Sequence, residues 1–170
     1  MDTVYFWKPE SPNGYLSNWY ESQFYLPNDS NKYSAKLRVS DEYYFRTSEH
    51  AMMWRKALLM GDHTTANTIL KTINPAIVKK LGRQVKPWNE HLWNTQREQI
   101  MYECCLAKFT QNKELKKELL ATGEAMLVEA SPYDSIWGIG ITEREARSGV
   151  QSKGLNLLGK ALMKVRGDIQ

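Results

Sequence analysis

The 170-residue chain lacks the motifs that several common kinds of catalytic site require. Its three histidines, His50, His63 and His91, do not have the spacing of metal ligands. The sequence also contains no CxxC, HExxH, Walker-type or Gly-x-Ser-x-Gly motif. These absences argue against metal-dependent and acyl-transfer chemistry, so we expect neither a metal nor another cofactor.

Cysteine is scarce, and the two that are present, Cys104 and Cys105, are neighbours in a predicted helix. Because adjacent helical side chains point in different directions, a disulfide between them is not expected. Reduced thiols fit a reducing compartment. The first ten residues have no basic segment followed by an apolar core, and no apolar run reaches the length of a membrane span. The sequence therefore predicts a soluble cytoplasmic protein without membrane association.

Aromatic residues are abundant, with six tryptophans and nine tyrosines, and the net charge is +4. Aromatic rings fill protein cores and also stack on nucleobases, and composition leaves both roles open. Two modest basic clusters are either solvated faces or phosphate contacts. They consist of Lys79, Lys80, Arg83 and Lys86, and of Lys153, Lys160, Lys164 and Arg166. A charge of this size permits an anionic ligand without requiring nucleic acid.

The pattern of apolar and turn residues predicts one α+β domain over residues 1–170, mostly helical, with a small sheet near the N-terminus. Strands are expected around residues 24–26, 35–39, 43–45 and 126–130. Helices are expected at 48–60, 62–72, 74–82, 92–109, 112–123 and 155–166. The expected caps of the first three are Thr47 or Ser48, Asp62 and Asn74, and Gly82 is the expected end of the third. Residues 131–154, which include four glycines, are expected to form loops.

Two charged residues, Glu49 and Lys56, lie in the predicted helix 48–60, which is apolar on nearly every side and is therefore expected to be buried. They are seven residues apart, or about 10 Å at a rise of about 1.5 Å per residue. Direct pairing is strained at that distance, and both side chains can converge on a ligand between them. The structural alternative is that Glu49 complements the helix N-terminus while Lys56 extends to water.

A second candidate segment places the carboxylate of Asp134 just before Trp137 and Gly138 in a glycine-containing loop. Glycine lets the main chain approach a ligand closely, with its N–H groups available as donors. The structural alternative is a turn closed by the Asp134 side chain, with Trp137 packed into the core.

A third segment, around Gly154 and Asn156, precedes the last predicted helix. Helix N-termini bind anions, so this junction suits a phosphate, although capping alone produces the same pattern.

Taken in order, segments along nearly the whole chain resemble the NADAR family. They are residues 16–19 (LSNW), 47–50 (TSEH), 81–83 (LGR), 107–109 (AKF), 120–123 (LATG), 127–130 (LVEA), 134–140 (DSIWGIG) and 154–159 (GLNLLG). The chain departs from many relatives at Leu92, where they have Asp before the helix tryptophan. It also has an expanded segment at 141–152. A loop of this kind beside a site commonly sets the choice of substrate.

The resemblance implies an N-glycosidase that cleaves a ribose–base bond. Its substrate is then either ADP-ribose on guanine, in nucleic acid or a nucleotide, or a phosphoribosylamino-pyrimidine of riboflavin synthesis. The resemblance also implies the site. Glu49, Lys56 and Asp134 are the expected catalytic residues. The expected substrate-binding residues are Ser17, Asn18, Trp93, Trp137, Gly138, Gly154 and Asn156, with Trp88 considered beside Trp93 for stacking.

Lys56 has two alternative roles in such an enzyme. As a neutral amine it traps the opened ribose as a Schiff base, and as an ammonium it offsets charge on the departing base or a phosphate. A rival hypothesis for the whole protein is a non-catalytic module that binds ADP-ribose or a nucleotide. A third is an interaction module that uses tryptophan faces and has no affinity for small molecules.

Overall fold

The computed structural model describes residues 2–27 and 42–170, which form two compact units. One unit comprises residues 1–20 and 112–170, and the other comprises residues 21–111. The described residues contain seven α-helices and four short strands, which confirms the predicted α+β class. The strand predicted at 35–39 lies outside the described residues. Within the described ranges, no helix is both long and apolar enough to cross a membrane.

The unit of residues 21–111 contains a two-stranded antiparallel sheet and four helices. Its strands are β2 (Phe24–Pro27) and β3 (Glu42–Phe45). Its helices are α1 (Ser48–Leu59), α2 (His63–Lys71), α3 (Pro75–Arg83) and α4 (Glu90–Thr110). The other unit contains β1 (Thr3–Phe6), a short 3-10 helix (Gly14–Leu16), α5 (Lys113–Ala121), β4 (Met126–Glu129), α6 (Glu143–Arg147) and α7 (Leu157–Asp168).

The starts of the first three helices follow the predicted capping residues. The side chains of Thr47, Asp62 and Asn74 accept hydrogen bonds from backbone N–H groups in the first turns of α1, α2 and α3. Each bond satisfies a donor that the helix itself leaves open. The prediction that Gly82 ends the third helix was wrong, because α3 continues to Arg83. Gly82 lies directly against the Met53 side chain, whose sulfur a Cβ at this position would displace.

The core of residues 21–111 is aromatic around the buried Trp54 of α1. The rings of Phe45 and Tyr43 lie 5.1 and 4.8 Å from the Trp54 ring. Helix α1 is also joined to α4 by an ion pair, in which Arg55 Nη1 lies 2.6 Å from Glu103 Oε2. Helix α1 is buried along most of its length, as predicted from its apolar faces.

The unit of residues 1–20 and 112–170 is built on a parallel pair of strands. Strand β1 pairs with β4 in a register that places Phe6 beside Glu129. The sequence did not predict β1, because its four residues carry little pattern and its partner is distant in the chain. Helix α6 was also not predicted, although Thr142 and Glu145 form a capping box at its start.

The outer side of β4 is held by the junction that precedes α7. Asn156 adopts a left-handed conformation with φ of 52°. Its Nδ2 donates to the Leu127 carbonyl at 3.0 Å, and its Oδ1 accepts from the Glu129 N–H at 3.0 Å. Gly159 lets the first turn of α7 approach this strand, since a Cβ there would overlap the Leu127 carbonyl oxygen.

Two glycines of α7 provide a matched test of this packing. Gly159→Ala is expected to lower the unfolding free energy by about 1–3 kcal/mol, because the new methyl group forces the helix away from β4. Gly167→Ala meets nothing within 4 Å and is expected to raise it by about 0.5–1 kcal/mol through helix propensity. Urea unfolding of both variants measures the difference. Equal effects would show that α7 does not depend on this close approach.

Candidate active site

Lys56 lies on α1, with its ammonium group beside two indole rings. Its Nζ is 4.8 Å from the centre of the Trp88 ring and 5.3 Å from that of Trp93. The two rings are 6.2 Å apart and tilted by 54°, so together they form a corner around the amine. A cation at this distance is attracted by the electron-rich face of an indole. Lys56 is half-buried, so its side chain packs against these rings while part of it still meets water, as the structural alternative expects.

Opposing influences act on the protonation of Lys56. Burial is the largest and lowers the pKa of the amine below its usual value of 10.5. The positive charge of Arg83 acts in the same direction, whereas the carboxylates of Glu49 and Glu90 raise the pKa. The net effect is a lowered pKa, which gives a larger neutral fraction near neutral pH than an exposed lysine has.

Glu49 is buried in the first turn of α1, with only 5% of its surface exposed. A carboxylate at this position interacts favourably with the positive end of the helix dipole. The neighbouring His50 fixes the same turn, because its Nε2 lies 2.9 Å from the Thr72 carbonyl and its Nδ1 lies 2.7 Å from the Thr47 hydroxyl. Burial lowers the pKa of His50, which favours the neutral ring. Glu49 is thus held in a rigid first turn.

Trp88 is fixed by a hydrogen bond that the sequence did not indicate. Its indole N–H donates to Glu90 Oε2 at 2.6 Å, although 42% of its surface is exposed. Glu90 lies in the first turn of α4. One carboxylate therefore orients the ring that covers Lys56 and also adds negative charge near the amine.

This second role of Glu90 can be tested on Lys56 directly. Glu90→Gln removes a charge that raises the pKa of Lys56 and is therefore expected to lower that pKa further. The measurement is an NMR titration of ¹³C-labelled lysine side chains, with the Lys56 signal assigned by its loss in Lys56→Arg. Glu114→Gln is the matched control, since Glu114 lies in the first turn of α5. An equal response to both substitutions would assign the effect to overall charge.

Asp134 organises the loop that follows β4. Its Oδ1 accepts hydrogen bonds from the N–H groups of Ile136 at 2.9 Å and Trp137 at 2.8 Å. Its carbonyl accepts another from Gly140 at 3.1 Å. Asp134 thus closes a turn with its side chain, as the structural alternative predicts. Trp137 is half-buried, so it is not the core residue that this alternative also predicts. The turn aligns the Asp134 carboxylate and leaves its catalytic role as a proposal.

Glycines join this loop to the segment before α7. A Cβ on Gly154 would overlap the Gly138 carbonyl oxygen, so the two backbones are in direct contact. The N–H of Asn156 donates to that same carbonyl at 3.0 Å. Both the nitrogen and the oxygen of the Asn156 side-chain amide bond to β4, so the structure shows this side chain holding the loop in place. A phosphate contact from Asn156 stays a prediction.

Ser17 and Asn18 are both buried, just after the 3-10 helix. Ser17 Oγ accepts a hydrogen bond from the Trp19 N–H at 3.1 Å. The structure thus places three of the predicted site residues, Glu49, Lys56 and Trp93, in the unit of residues 21–111. The others lie in the second unit, where contacts join Asp134, Trp137, Gly138, Gly154 and Asn156.

Lys108 is a buried cation that the sequence analysis did not single out. Only 1% of its surface is exposed, and burial lowers its pKa to about 8. Its Nζ lies 5.1 Å from the Phe109 ring. The available signal was a lysine in the middle of a largely apolar stretch, 104–109. Within residues 2–27 and 42–170, no group of three His, Cys, Asp or Glu side chains is placed to hold a metal ion.

Comparison with known proteins identifies relatives for nearly the whole chain. The model of a family described as the NADAR domain matches residues 5–170. An N-glycosidase of Acanthamoeba polyphaga mimivirus is 43% identical, over 73% of this chain and 74% of the relative. An N-glycosidase of Nostoc punctiforme is 32% identical, over 99% of this chain and 93% of the relative. A riboflavin biosynthesis protein of Vibrio vulnificus is 28% identical over 98% of this chain but 38% of its own length.

A solved structure is also similar. The NMR structure of the Escherichia coli protein YbiA superimposes with a TM-score of 0.74 and is 28% identical in sequence. The match covers 99% of this chain and 84% of YbiA. The fold described above is therefore shared with YbiA.

Proposed function

Because the chain belongs to the NADAR domain family and is an N-glycosidase, we propose that it hydrolyses the ribose–base bond of a phosphorylated ribosyl compound at Glu49, Lys56 and Asp134. The observation that carries this proposal is the amine of Lys56, held between two indole rings with its pKa lowered by burial and influenced by a buried carboxylate. A lowered pKa is expected of an amine that takes part in chemistry. The two indole rings hold its position and favour its ammonium form.

The reaction places different demands on the two carboxylates. As the ribose–nitrogen bond breaks, positive charge develops at the anomeric carbon and negative charge on the departing base. Glu49 is assigned to the ribose, where a carboxylate stabilises the cation or accepts a proton from the attacking water. Asp134 is assigned to the ribose or the departing base from the family resemblance, and the N–H groups of Ile136 and Trp137 fix the orientation of its carboxylate.

Lys56 serves this reaction in one of two ways. In the covalent route, its neutral amine bonds to the anomeric carbon while the bond to the base breaks, and the base leaves with a proton. The bond from the anomeric carbon to the ring oxygen then breaks, the oxygen takes the remaining proton of the amine, and a Schiff base forms. Water hydrolyses this Schiff base to free the ribosyl product and the amine. In the electrostatic route, the ammonium stays charged and offsets charge on the departing base or on a phosphate.

The proposed substrates share a ribose joined to nitrogen, a phosphate and a flat heterocycle. One is a guanine base carrying ADP-ribose, in nucleic acid or in a nucleotide. The other is a phosphoribosylamino-pyrimidine, and the name of the Vibrio vulnificus relative supports a substrate from riboflavin synthesis. Trp93 and Trp137 are proposed to stack on the heterocycle, and Ser17 and Asn18 to bond the sugar or the base edge.

Parallel turnover assays with mass spectrometry test the proposal. The protein is incubated with guanine-ADP-ribosylated DNA in one tube and with a phosphoribosylamino-pyrimidine in another, with Glu49→Ala as control. Release of ADP-ribose identifies the first substrate, and release of ribose 5-phosphate identifies the second. If the wild type matches Glu49→Ala in both tubes, the proposed reaction is wrong and a non-catalytic binding module takes its place.

A further inference from the structure

Three residues that have no role so far lie together at one edge of the parallel sheet. Trp7 and Lys8 directly follow β1, and Tyr133 lies in the loop that follows β4. Because β1 and β4 run parallel with Phe6 beside Glu129, both segments leave the sheet at the same edge. The carboxyl ends of parallel strands are where ligands commonly bind in open α/β sheets.

The chemistry of this cluster is that of a stacking surface with a cation. The Tyr133 ring is 86% exposed and its centre lies 5.8 Å from that of Trp7, at an angle of 49°. Lys8 Nζ lies 4.9 Å from the centre of the Trp7 ring. An aromatic ring exposed to this degree forgoes the favourable burial that such a side chain normally gains. The cluster, hereafter the Trp7–Tyr133 surface, also presents a positive charge.

Hydrogen bonds hold the loop that carries Tyr133 at the positions just before and just after this residue. The Tyr133 N–H donates to Ser131 Oγ at 3.3 Å, and the adjacent Asp134 closes the turn that follows. The ring is therefore presented by a fixed backbone. A ligand that stacks on a preorganised ring has less conformational entropy to offset.

A second exposed aromatic pair shows what is particular to this surface. Tyr25 and Tyr44 have ring centres 5.6 Å apart and are 47% and 40% exposed. They are directly paired across β2 and β3, so cross-strand packing explains their contact. Trp7 and Tyr133 lie beyond the paired residues of their strands, and they have a cation beside them.

We infer that the Trp7–Tyr133 surface binds a second flat heterocycle of the substrate, with Lys8 near the phosphate attached to it. This inference rests on the proposed function, because it selects among its substrates. A substrate with two heterocycles joined through phosphate engages this surface with the heterocycle that is not cleaved off, whereas a substrate with only the departing heterocycle leaves it empty. ADP carries the retained heterocycle with its diphosphate and therefore serves as a probe of this surface. The second heterocycle belongs either to the nucleoside diphosphate part of an ADP-ribosyl group or to a neighbouring nucleotide of a nucleic acid.

Calorimetric binding of ADP and of ribose 5-phosphate tests the inference without requiring turnover. Tyr133→Ala is expected to weaken ADP binding about 10-fold, the effect of losing one stacked base, and to leave ribose 5-phosphate binding unchanged. Tyr133→Phe, which keeps the ring, is expected to bind ADP like the wild type. Tyr25→Ala is the matched control for an exposed tyrosine. ADP affinity that is unaffected in Tyr133→Ala, or equal losses for both ligands, would overturn the inference.

A tetranucleotide of thymidylate distinguishes the two sources of the heterocycle. If the surface takes a neighbouring nucleotide, Tyr133→Ala weakens tetranucleotide binding as much as ADP binding. If it takes the nucleoside diphosphate part, only ADP binding changes, and either result supports the surface. The proposed function can fail independently of this surface. If the wild type shows no turnover but Tyr133→Ala still weakens ADP binding, the surface is a binding site and the proposed glycosidase reaction is wrong.

Discussion

Replacing Lys56 with methionine is expected to lower kcat/KM about 10³-fold while the protein stays folded. Methionine has a similar length and keeps the apolar contacts with Trp88 and Trp93, so the loss reports on the amine. The measurement is steady-state turnover of the substrate identified in the paired assay. Lys80→Met is the matched control, because Lys80 is exposed on α3 of the same unit. A Lys56→Met variant with near-normal turnover would exclude both routes for this lysine.

The pH dependence of the wild type separates the two routes for Lys56. The groups acting on its charge are Glu49 and Glu90, which raise its pKa, and Arg83, which acts with burial to lower it. In the covalent route, kcat/KM rises with pH and reaches its plateau below 10.5, the usual lysine value. In the electrostatic route, kcat/KM falls as the pH rises through the pKa of Lys56, because the ammonium loses its charge. Borohydride added during turnover leaves a ribosyl adduct on Lys56 only in the covalent route.

The same lowered pKa has a consequence for stability. Between the pKa of folded Lys56 and 10.5, the unfolded state binds more protons, so the unfolding free energy rises with pH. This contribution is absent in Lys56→Met. Comparing the two proteins removes the contributions of groups they share, such as Tyr15, whose pKa burial raises to about 12.

Glu49→Gln is expected to lower kcat about 10²- to 10⁴-fold, the range for loss of a positioned acid–base group. Glutamine keeps the size and hydrogen-bonding capacity of the side chain but loses the charge that stabilises the developing cation. Because the Glu49 carboxylate raises the pKa of Lys56, the same substitution is expected to lower that pKa in the lysine titration. One variant therefore gives two readouts.

The control for Glu49 is Glu90→Gln, which also removes a charge that acts on Lys56 but leaves the first turn of α1 intact. The glutamine oxygen can still accept the hydrogen bond from the Trp88 indole, so the ring keeps its partner. If Glu49 contacts the reacting sugar, Glu49→Gln loses far more activity than Glu90→Gln. Equal losses would mean that Glu49 acts only through the charge state of Lys56. Thermal unfolding of both variants verifies that neither loss is a folding defect.

Most local features were predicted from the sequence, with α6 and its capping box as the exception, whereas features that depend on distant segments were not. The helix starts at Thr47, Asp62 and Asn74 were recognised because a cap acts within three residues of itself. Strand β1 was missed because its stability comes from pairing with β4, which no local pattern records. For the same reason, Gly82 was read as a helix end instead of a contact for Met53.

The candidate site shows the same division. Glu49 and Lys56 share one helix, so their position could be inferred from helical periodicity and from the family resemblance. The position of Trp88 over the amine depends on the chain path between α3 and α4 and on the bond to Glu90. The burial of Lys108 had one local signal, the largely apolar stretch 104–109, but the extent of that burial follows from the packing around α4.

The bonds of Asn156 to β4 also occupy hydrogen-bonding groups along the outer edge of this strand. The N–H and carbonyl groups of residues 127 and 129 point away from β1, as those of a strand edge do. Asn156 occupies the Leu127 carbonyl and the Glu129 N–H, and the Ile139 N–H donates to the Glu129 carbonyl at 2.9 Å. An unpaired edge of this kind is a template for intermolecular strand addition and aggregation. The Asn156 side chain and the Ile139 N–H thus take the place of a third strand and leave fewer groups of β4 for another chain to pair with.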